Sequence, residues 1–197
     1  MGEPELFRSA GERRGYFTTA EAEEHGLSRR ALVHRAQRGE LEHAGYGLWR
    51  LAAWPARPDD ELYAIQARAP FGTFSHDTAL SVLGLGDLIP SSIHLTIPES
   101  SRLGPRVGLR LHRSRSEAMT DRDLRDGLWV STAVRALPDT AEVGGDPDRM
   151  RSAAELRVER RLCRREEVAI ARLATGGAAH NGTGAPQPRD ECHVRRS

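Results

Sequence analysis

The segment from residue 25 to residue 39 carries several basic side chains and no acidic one. If it forms a helix, the rotation of about 100° per residue places Leu32, Val33 and Ala36 on one side and the basic side chains on the other. Such a helix suits the major groove of duplex DNA, because its apolar side packs on its own domain while long donors reach base edges and guanidinium groups contact phosphates. We expect base-edge contacts from Arg29, Arg30 and His34, and phosphate contacts from Ser28, Arg35 and Arg38.

A hairpin is predicted directly after this helix. Residues 40–44 and 47–51 alternate polar and apolar side chains, and Gly45-Tyr46-Gly47 between them supplies turn residues. A hairpin beside a groove-reading helix can reach the DNA backbone or the adjacent minor groove. The candidates for that contact are His43, Tyr46 and Arg50.

A second basic patch is predicted between residues 102 and 115, where no acidic residue occurs. On a strand, Arg110 and His112 share one face, opposite Leu109 and Leu111. The patch could bind nucleic acid or an acidic partner surface, and a solvated sheet face without a ligand accounts for it equally well. Its members are Arg102, Arg106, Arg110, His112, Arg113 and Arg115.

The sequence Ser75-His76-Asp77 contains the three residue types of a hydrolase triad. Adjacent residues at a helix start point in different directions, so they cannot form the relay from nucleophile to base to orienting acid. Ser75 is instead predicted to cap a helix. The chain also contains no lysine, which argues against a Walker P-loop, a Schiff-base enzyme and most restriction-type nuclease cores. We therefore expect no catalytic residue and no enzymatic activity.

Metal and disulfide sites are not predicted. Cys163 and Cys192 are far apart and form no CxxC or Cys/His cluster with zinc spacing. We expect both to be ordinary thiols, and we expect no metal and no cofactor.

The elements around the basic helix predict a winged helix-turn-helix over residues 1–51. Residues 3–14 have the spacing of a short amphipathic helix. A capping box of Thr18 and Glu21 starts a second helix, and Ser28 caps the third. Three helices followed by a hairpin are the order of this fold.

A second, α+β domain with a short antiparallel sheet and carboxy-terminal helices is predicted over residues 59–174, after a proline-containing linker at 52–58. Pro138 is expected to kink or shorten one of its helices. Residues 175–197 are polar and aperiodic and are expected to be a disordered tail. Strands are expected at 93–97, 107–112 and 128–130, and helices after residues 59–60, after Ser75, and over 132–142, 148–161 and 165–173.

Charge is unevenly distributed along the 197 residues, although the formal net charge is only +1. Residues 52–100 contain two arginines against six acids, whereas residues 101–174 contain sixteen against twelve. A nearly neutral protein can bind a polyanion if its arginines lie on one face. The chain has no apolar run long enough to span a membrane, and its amino terminus is charged, so we expect a soluble, cytoplasmic protein with no membrane partner.

A series of short motifs, in a fixed order, resembles the AbiEi family of antitoxins from abortive-infection toxin–antitoxin systems. The resemblance covers about residues 15–140. The motifs are GYFTTAEA (15–22), GLSRRAL (26–32), RGEL (38–41), GLWRL (47–51), SHDTAL (75–80), IHLTIP (93–98), LHRS (111–114) and DGLWVST (126–132).

The resemblance implies two activities. The winged helix would repress its own operon at inverted repeats, and the second domain would counter a nucleotidyltransferase-like toxin encoded alongside. The DNA-reading role falls on the matching helix at residues 28–38. Pro138 departs from the family pattern, which has leucine there, and the chain stops before the repair-endonuclease-like domain into which related chains continue. These departures fit a truncated or orphan member.

The sequence therefore predicts a non-enzymatic autorepressor and antitoxin that binds its own promoter, as a homodimer on a two-fold site, because one winged helix reads only a few base pairs. The alternative is a protein-interaction winged helix without sequence-specific DNA binding, in which the arginines provide solubility. A degenerate nuclease is disfavoured for want of a catalytic lysine.

Overall fold

The computed structural model describes residues 2–85, 90–115 and 120–159, apart from the side chains of residues 149 and 157–159. The predicted helix at 165–173, the predicted disordered tail at 175–197 and both cysteines lie outside the described residues.

The amino-terminal unit has the order helix, strand, helix, helix, strand, strand, which is that of a winged helix-turn-helix. Its three strands form an antiparallel sheet in the order β1-β3-β2. The first strand was not predicted, since three residues are too short to display an alternating pattern. The elements are α1 (Glu3–Glu12), β1 (Tyr16–Thr18), α2 (Thr19–Glu24), α3 (Arg29–Gln37), β2 (Leu41–Gly45) and β3 (Leu48–Leu51).

Side-chain caps set the two helix starts of the helix-turn-helix. The Thr18 hydroxyl accepts a hydrogen bond from the Glu21 amide at 3.2 Å, and the Glu21 carboxylate accepts one from the Thr18 amide at 2.7 Å, which is the predicted capping box. The Ser28 hydroxyl accepts from the Ala31 amide at 3.3 Å and caps α3, also as predicted. Gly26 lies in the turn between the helices at φ +84°, a left-handed conformation that favours glycine.

The second unit is a mixed α/β arrangement, so the predicted α+β class is confirmed. Its five-stranded sheet has the order β6-β5-β4-β8-β7. The elements are α4 (Asp60–Arg68), β4 (Thr73–Phe74), α5 (His76–Val82), β5 (Ile93–Pro98), β6 (Leu109–Ser114), β7 (Arg122–Arg125), β8 (Leu128–Ser131), α6 (Ala133–Glu142) and α7 (Pro147–Glu159).

The sheet is antiparallel at two of its pairings, as expected, and parallel at the other two. The pairs β4·β5 and β7·β8 are antiparallel, whereas β5·β6 and β4·β8 are parallel. Strand β6 is parallel to β5 because residues 99–108 return the chain to the beginning of β5, where the Ile93 amide donates to the Gly108 carbonyl at 2.7 Å. Strands β4 and β7 were not predicted, because one is two residues long and the other is largely charged and exposed.

Two details of the second unit differ from the sequence expectations. Ser75 occupies the N-cap position of α5, but its hydroxyl makes no capping hydrogen bond. Helix α6 includes Pro138 and spans residues 133–142, so the proline does not shorten it.

The two units share a core. One apolar cluster lies wholly in the amino-terminal unit. The larger cluster fills the second unit and also includes Tyr16 and Leu48 of the winged-helix sheet. At the same junction, the Arg14 guanidinium lies 4.2 Å above the centre of the Tyr63 ring and pairs with Asp59. Among the described residues, no helix combines the length and the apolar character needed to cross a membrane.

Candidate nucleic-acid interface

Helix α3 presents most of its predicted DNA-reading side chains to solvent. Leu32 is fully buried, and Ala31 and Ala36 pack partly against the same core. Val33, expected on the packed side, is instead 43% exposed. It lies about 100° around the helix from Leu32 and therefore between the basic side chains. The exposed residues of the helix are Arg29, Arg30, Val33, His34 and Gln37, followed by Arg38 at its carboxyl end.

The Arg35 guanidinium, predicted to contact a DNA phosphate, already has partners within the protein. Its guanidinium pairs with Glu3 of α1, lies 3.6 Å from Glu40, and sits 5.5 Å from the centre of the Phe7 ring. These contacts hold α1 against α3. The helical wheel could not reveal them, since Glu3 is distant in sequence. Arg35 therefore has a structural role, and its contact with phosphate stays a prediction.

The two remaining phosphate candidates stay accessible. The Ser28 hydroxyl accepts the capping hydrogen bond and is exposed, so its own proton can still be donated. Arg38 has a side chain that is 64% exposed and lies 2.9 Å from Glu40. An exposed ion pair of this kind contributes little stability, so a phosphate can replace the carboxylate at low cost.

The hairpin β2–β3 forms the wing, and its tip projects into solvent. Tyr46 at the tip is 87% exposed. His43 is also exposed and contacts the Trp49 ring edge-on, with 4.9 Å between the ring centres. The Trp49 indole donates to the Thr19 hydroxyl at 2.9 Å. The wing is thus attached to the start of α2, close to the helix-turn-helix.

Arg50, the third predicted wing contact, is engaged within the protein, and its contact with DNA stays a prediction. It is only 9% exposed, and its guanidinium lies 2.6 Å from Glu42 and 3.3 Å from Asp60. The hydrogen bond to Glu42 raises the pKa of Arg50 above its ordinary value. Alternation along the strand gave the correct hairpin but could not show that α4 covers this side chain.

Charge differs sharply between the two helices of the helix-turn-helix. The exposed face of α3 contains no acid, and no ion pair in the described ranges involves Arg29 or Arg30. By contrast, α2 exposes Glu23 and Glu24. A polyanion can therefore approach α3 favourably, whereas the exposed acids of α2 would repel it.

The second basic patch is divided by its local contacts. Arg113 donates to the carbonyl oxygens of Ser101 at 2.7 Å and Leu103 at 3.2 Å, and so holds the loop before β6. Arg115 pairs with Glu99 at 3.3 Å. Arg113, Arg115 and the half-buried His112 are thus engaged with neighbouring groups of the protein, and the binding role predicted for the patch stays a prediction. Arg102, Arg106 and Arg110 stay exposed, and neither an ion pair nor a side-chain hydrogen bond is found for them in the described part of the chain.

Arg68 of α4 is an addition that the sequence did not suggest, since it is an isolated arginine in an acidic region. It lies close to the wing, because a Cβ placed on Gly45 would be 3.1 Å from its guanidinium. Burial, and secondarily the charge of Arg106, lowers the pKa of Arg68. Arg68 therefore lies between Gly45 of the wing and Arg106 of the second patch, so two positive charges are near each other.

Three histidines of the second unit come together although the sequence predicted no metal site. His76, His94 and His112 each place one ring nitrogen within 4.8 Å of the others. Next to them, the Ser75 hydroxyl lies 2.9 Å from His76 Nδ1, a contact that was not expected between adjacent residues. Ser75 is completely buried. An inaccessible hydroxyl cannot attack a substrate, so the contact does not make a nucleophile.

Three comparisons with known proteins bear on this interface. Residues 4–52 match a family described as "Transcriptional regulator, AbiEi antitoxin". The resemblance recognised in the sequence is confirmed over these residues, which are those of the winged helix. No curated protein matches the chain. A crystal structure of the RV2827C protein from Mycobacterium tuberculosis is similar with 14% identity and a TM-score of 0.39, covering 89% of this chain and 82% of that one.

Proposed function

We propose that this chain is a transcriptional regulator that binds duplex DNA with α3 in the major groove. The observation that carries the proposal is the acid-free, exposed face of α3 on a helix-turn-helix whose residues 4–52 match a family of transcriptional regulators. A groove-reading helix needs long donors near its amino end. Arg29 and Arg30 occupy the first two positions of α3.

Each exposed side chain of the interface has a distinct role in this arrangement. Arg29, Arg30 and His34 donate to base edges, of which guanine O6 and N7 are the best acceptors for arginine. Val33 lies among them and suits an apolar contact such as the methyl group of thymine. Ser28 and Arg38 flank this surface and donate to phosphates. His43 and Tyr46 place the wing against the backbone beside the groove.

The second unit extends the contact beyond the wing. Arg68 and Arg106 concentrate positive charge beside Gly45, so a phosphate between them would relieve their mutual repulsion. Arg102 and Arg110 add further positive charge from the same patch. We propose that the protein binds as a homodimer to an inverted repeat in its own promoter, because one winged helix reads too few base pairs for a unique site.

The antitoxin activity is the part of the proposal that rests on the family description alone. In this proposal the second unit counters a nucleotidyltransferase-like toxin in the cytoplasm, without catalysis by this chain. Production of the toxin encoded by the adjacent gene should arrest growth, and co-production of this chain should relieve the arrest. Unrelieved arrest would restrict the chain to regulation.

The DNA-binding proposal is tested with the duplex upstream of the gene, labelled and titrated at several salt concentrations. Replacing both Arg30 and Arg38 by alanine should reduce affinity by about tenfold or more, and should flatten the salt slope by about two units because two charges are removed. The matched control is the double change of Arg125 and Arg151 to alanine, which removes two exposed charges elsewhere.

Unchanged binding by the α3 variant would show that the interface is assigned to the wrong helix. Failure of the parent protein to bind either promoter or random duplex at low salt would favour the alternative, a winged helix that docks on another protein. That alternative would use the exposed Val33 and Tyr46 as apolar contacts.

A further inference from the structure

The three clustered histidines come from three different elements of the second unit. His76 is the first residue of α5, His94 lies in β5 and His112 lies in β6. In the parallel register Thr96 pairs with His112 and His94 pairs with Arg110, so the two strand histidines are diagonal neighbours on one face of the sheet. His76 and His94 are buried, and His112 is half-buried. The fold therefore gathers three imidazoles at a site that no short sequence motif marks.

We propose that His76, His94 and His112 bind one divalent transition-metal ion, with zinc as the best-suited class and the fourth coordination position open to water. Three histidines with one open position are a donor set that zinc uses in proteins. Imidazole nitrogen also suits copper, nickel and iron, so the site is defined by its nitrogen ligands. The proposal does not rest on DNA binding.

The spacing of two of the nitrogens already fits a shared ion. His94 Nδ1 lies 3.1 Å from His112 Nε2. Two ligands of a tetrahedral zinc ion, each at about 2.0–2.1 Å from the metal, are roughly 3.3 Å apart. The third ring, that of His76, is stacked on His112 with 3.8 Å between the ring centres. One ring nitrogen of each histidine lies within 4.8 Å of those of the other two, so a small tilt of the His76 ring that keeps its Ser75 contact would bring Nε2 to the ion.

Serine hydroxyl groups contact the ring nitrogens that face away from the proposed ion. Ser75 Oγ lies 2.9 Å from His76 Nδ1, and Ser92 Oγ lies 3.3 Å from His94 Nε2. Metal-binding histidines commonly donate their second ring N–H to such a partner, which fixes the tautomer and the ring orientation. The arrangement leaves His76 Nε2 and His94 Nδ1 as the ligating atoms. Ser75 is itself held by the Thr96 hydroxyl, which donates to it at 2.8 Å.

The backbone of His76 agrees with a ligand role. His76 has a φ of +53°, in the left-handed region that residues other than glycine rarely adopt. Strained backbone of this kind persists at sites where the surroundings demand it, ligand sites among them.

The charged groups around the cluster are balanced. Asp77 of α5 acts electrostatically on His94, and Asp139 of α6 acts on His112. Arg110 of β6 affects both strand histidines, and Arg135 of α6 affects His76. The two carboxylates would offset part of a dication's charge. A bound ion would also join α5, β5 and β6, so its binding energy would stabilise the fold.

The test uses the untagged, full-length protein after removal of metal with a chelator. Titration with Co²⁺ should produce the visible absorption of tetrahedral cobalt, saturating at one ion per chain, and Zn²⁺ should abolish the signal by displacement. Excess Zn²⁺ should also raise the melting temperature by several degrees, because the ion binds the folded state. His94→Ala and His112→Gln should each lose both effects.

Two controls separate this site from other metal-binding residues. Replacing the exposed His34 and His43 by alanine should leave the cobalt spectrum unchanged. So should replacing His180, Cys192 and His193, which lie outside the described residues. Circular dichroism confirms that each variant is folded, and His112→Gln, at the half-buried ring, keeps the test valid if His94→Ala unfolds.

The result that overturns the proposal is a folded parent protein that gives neither a tetrahedral cobalt spectrum nor a zinc-dependent rise in melting temperature. Binding that survives in folded His112→Gln, or that disappears with His180, Cys192 and His193, would equally overturn it. None of these measurements uses DNA, so the metal-site proposal can be rejected without affecting the proposed DNA-binding function, and the reverse also holds.

Discussion

Arg30 and Arg50 carry the same charge in very different surroundings. Arg30 is exposed on α3, where no described ion pair involves it. Arg50 is nearly buried between Glu42 and Asp60. An exposed guanidinium without an ion pair can replace its contacts with water by contacts with phosphate. A buried guanidinium cannot move to a phosphate without leaving its carboxylate partners buried and uncompensated. The same residue type therefore serves recognition in one place and folding in the other.

Arg50→Ala should reduce the free energy of unfolding by about 2 kcal/mol, because it leaves the mostly buried Asp60 carboxylate with less compensation. Urea unfolding measures the change. Arg30→Ala is the matched control and should change stability by less than about 0.5 kcal/mol, since its side chain is exposed.

The opposite result for Arg50→Ala, unchanged stability with weaker DNA binding, would place Arg50 in the DNA interface. If Arg50→Ala kept its stability and lost DNA affinity with a flatter salt slope, the side chain would leave its acidic partners to bind phosphate. The sequence-based prediction for this residue would then be correct.

At the scale of elements, the amino end of α3 combines a folding role and a recognition role in Ser28. Its hydroxyl caps the helix, and the same end of α3 is where the proposed phosphate contact occurs. The helix dipole and the free amide groups at this end also favour negative charge. A substitution that keeps the cap but adds negative charge separates the two roles.

Ser28→Asp should keep the stability of the parent, because aspartate is as good a cap as serine, yet it should weaken DNA binding by repelling phosphate. Ser28→Ala should instead lose about 1 kcal/mol of stability with the cap. Thermal unfolding and DNA titration of both variants provide the measurements. Full DNA affinity in Ser28→Asp would place the phosphates elsewhere.

The elements that were predictable from sequence are those whose signal is local. Thr18 and Glu21 are three residues apart, so the capping box could be read directly, and the hairpin followed from alternation around Gly45 and Gly47. Short strands such as β1 and β4 carry no period long enough to recognise. Their existence depends on neighbours that the fold supplies.

The parts of the site that escaped prediction depend on distant partners. Arg35 is paired with Glu3, 32 residues away. The clustered His76, His94 and His112 lie on three elements that become neighbours only through the parallel pairing of β5 and β6. Because zinc motifs are recognised by short spacing, this separation concealed the cluster.

At the scale of the whole molecule, the winged helix and the second unit are joined by charge as well as by apolar packing. The Arg14 guanidinium donates to Asp59 and lowers the pKa of that carboxyl group below its ordinary value. A carboxyl group with a lowered pKa in the folded state adds stability at pH values above its unfolded pKa, near 4. That contribution is lost as the pH falls through the folded pKa.

Asp59→Asn should therefore lower stability at neutral pH, by less than about 1 kcal/mol because the Asp59 side chain is 45% exposed and the pair is screened by solvent. The difference between variant and parent should shrink as the pH falls below about 4 and disappear below the lowered pKa of the folded state. Urea midpoints at a series of pH values measure it.

Glu24→Gln is the control, since it removes an exposed carboxylate of α2 for which no ion pair is found in the described ranges. It should leave the parent's pH dependence intact. If the difference in stability between Asp59→Asn and the parent stayed constant down to pH 3, the Arg14 contact would not depend on the ionisation of the Asp59 carboxyl group.

The shared core also decides how this protein could be re-engineered. Tyr16 and Leu48 belong to the winged-helix sheet, yet they are buried in the apolar cluster of the second unit. If the winged helix were fused to an unrelated protein, these two side chains would be exposed to water and would promote aggregation. The winged helix is therefore not an independent module. A chimaera that contains it must also keep α4, so that these side chains stay covered.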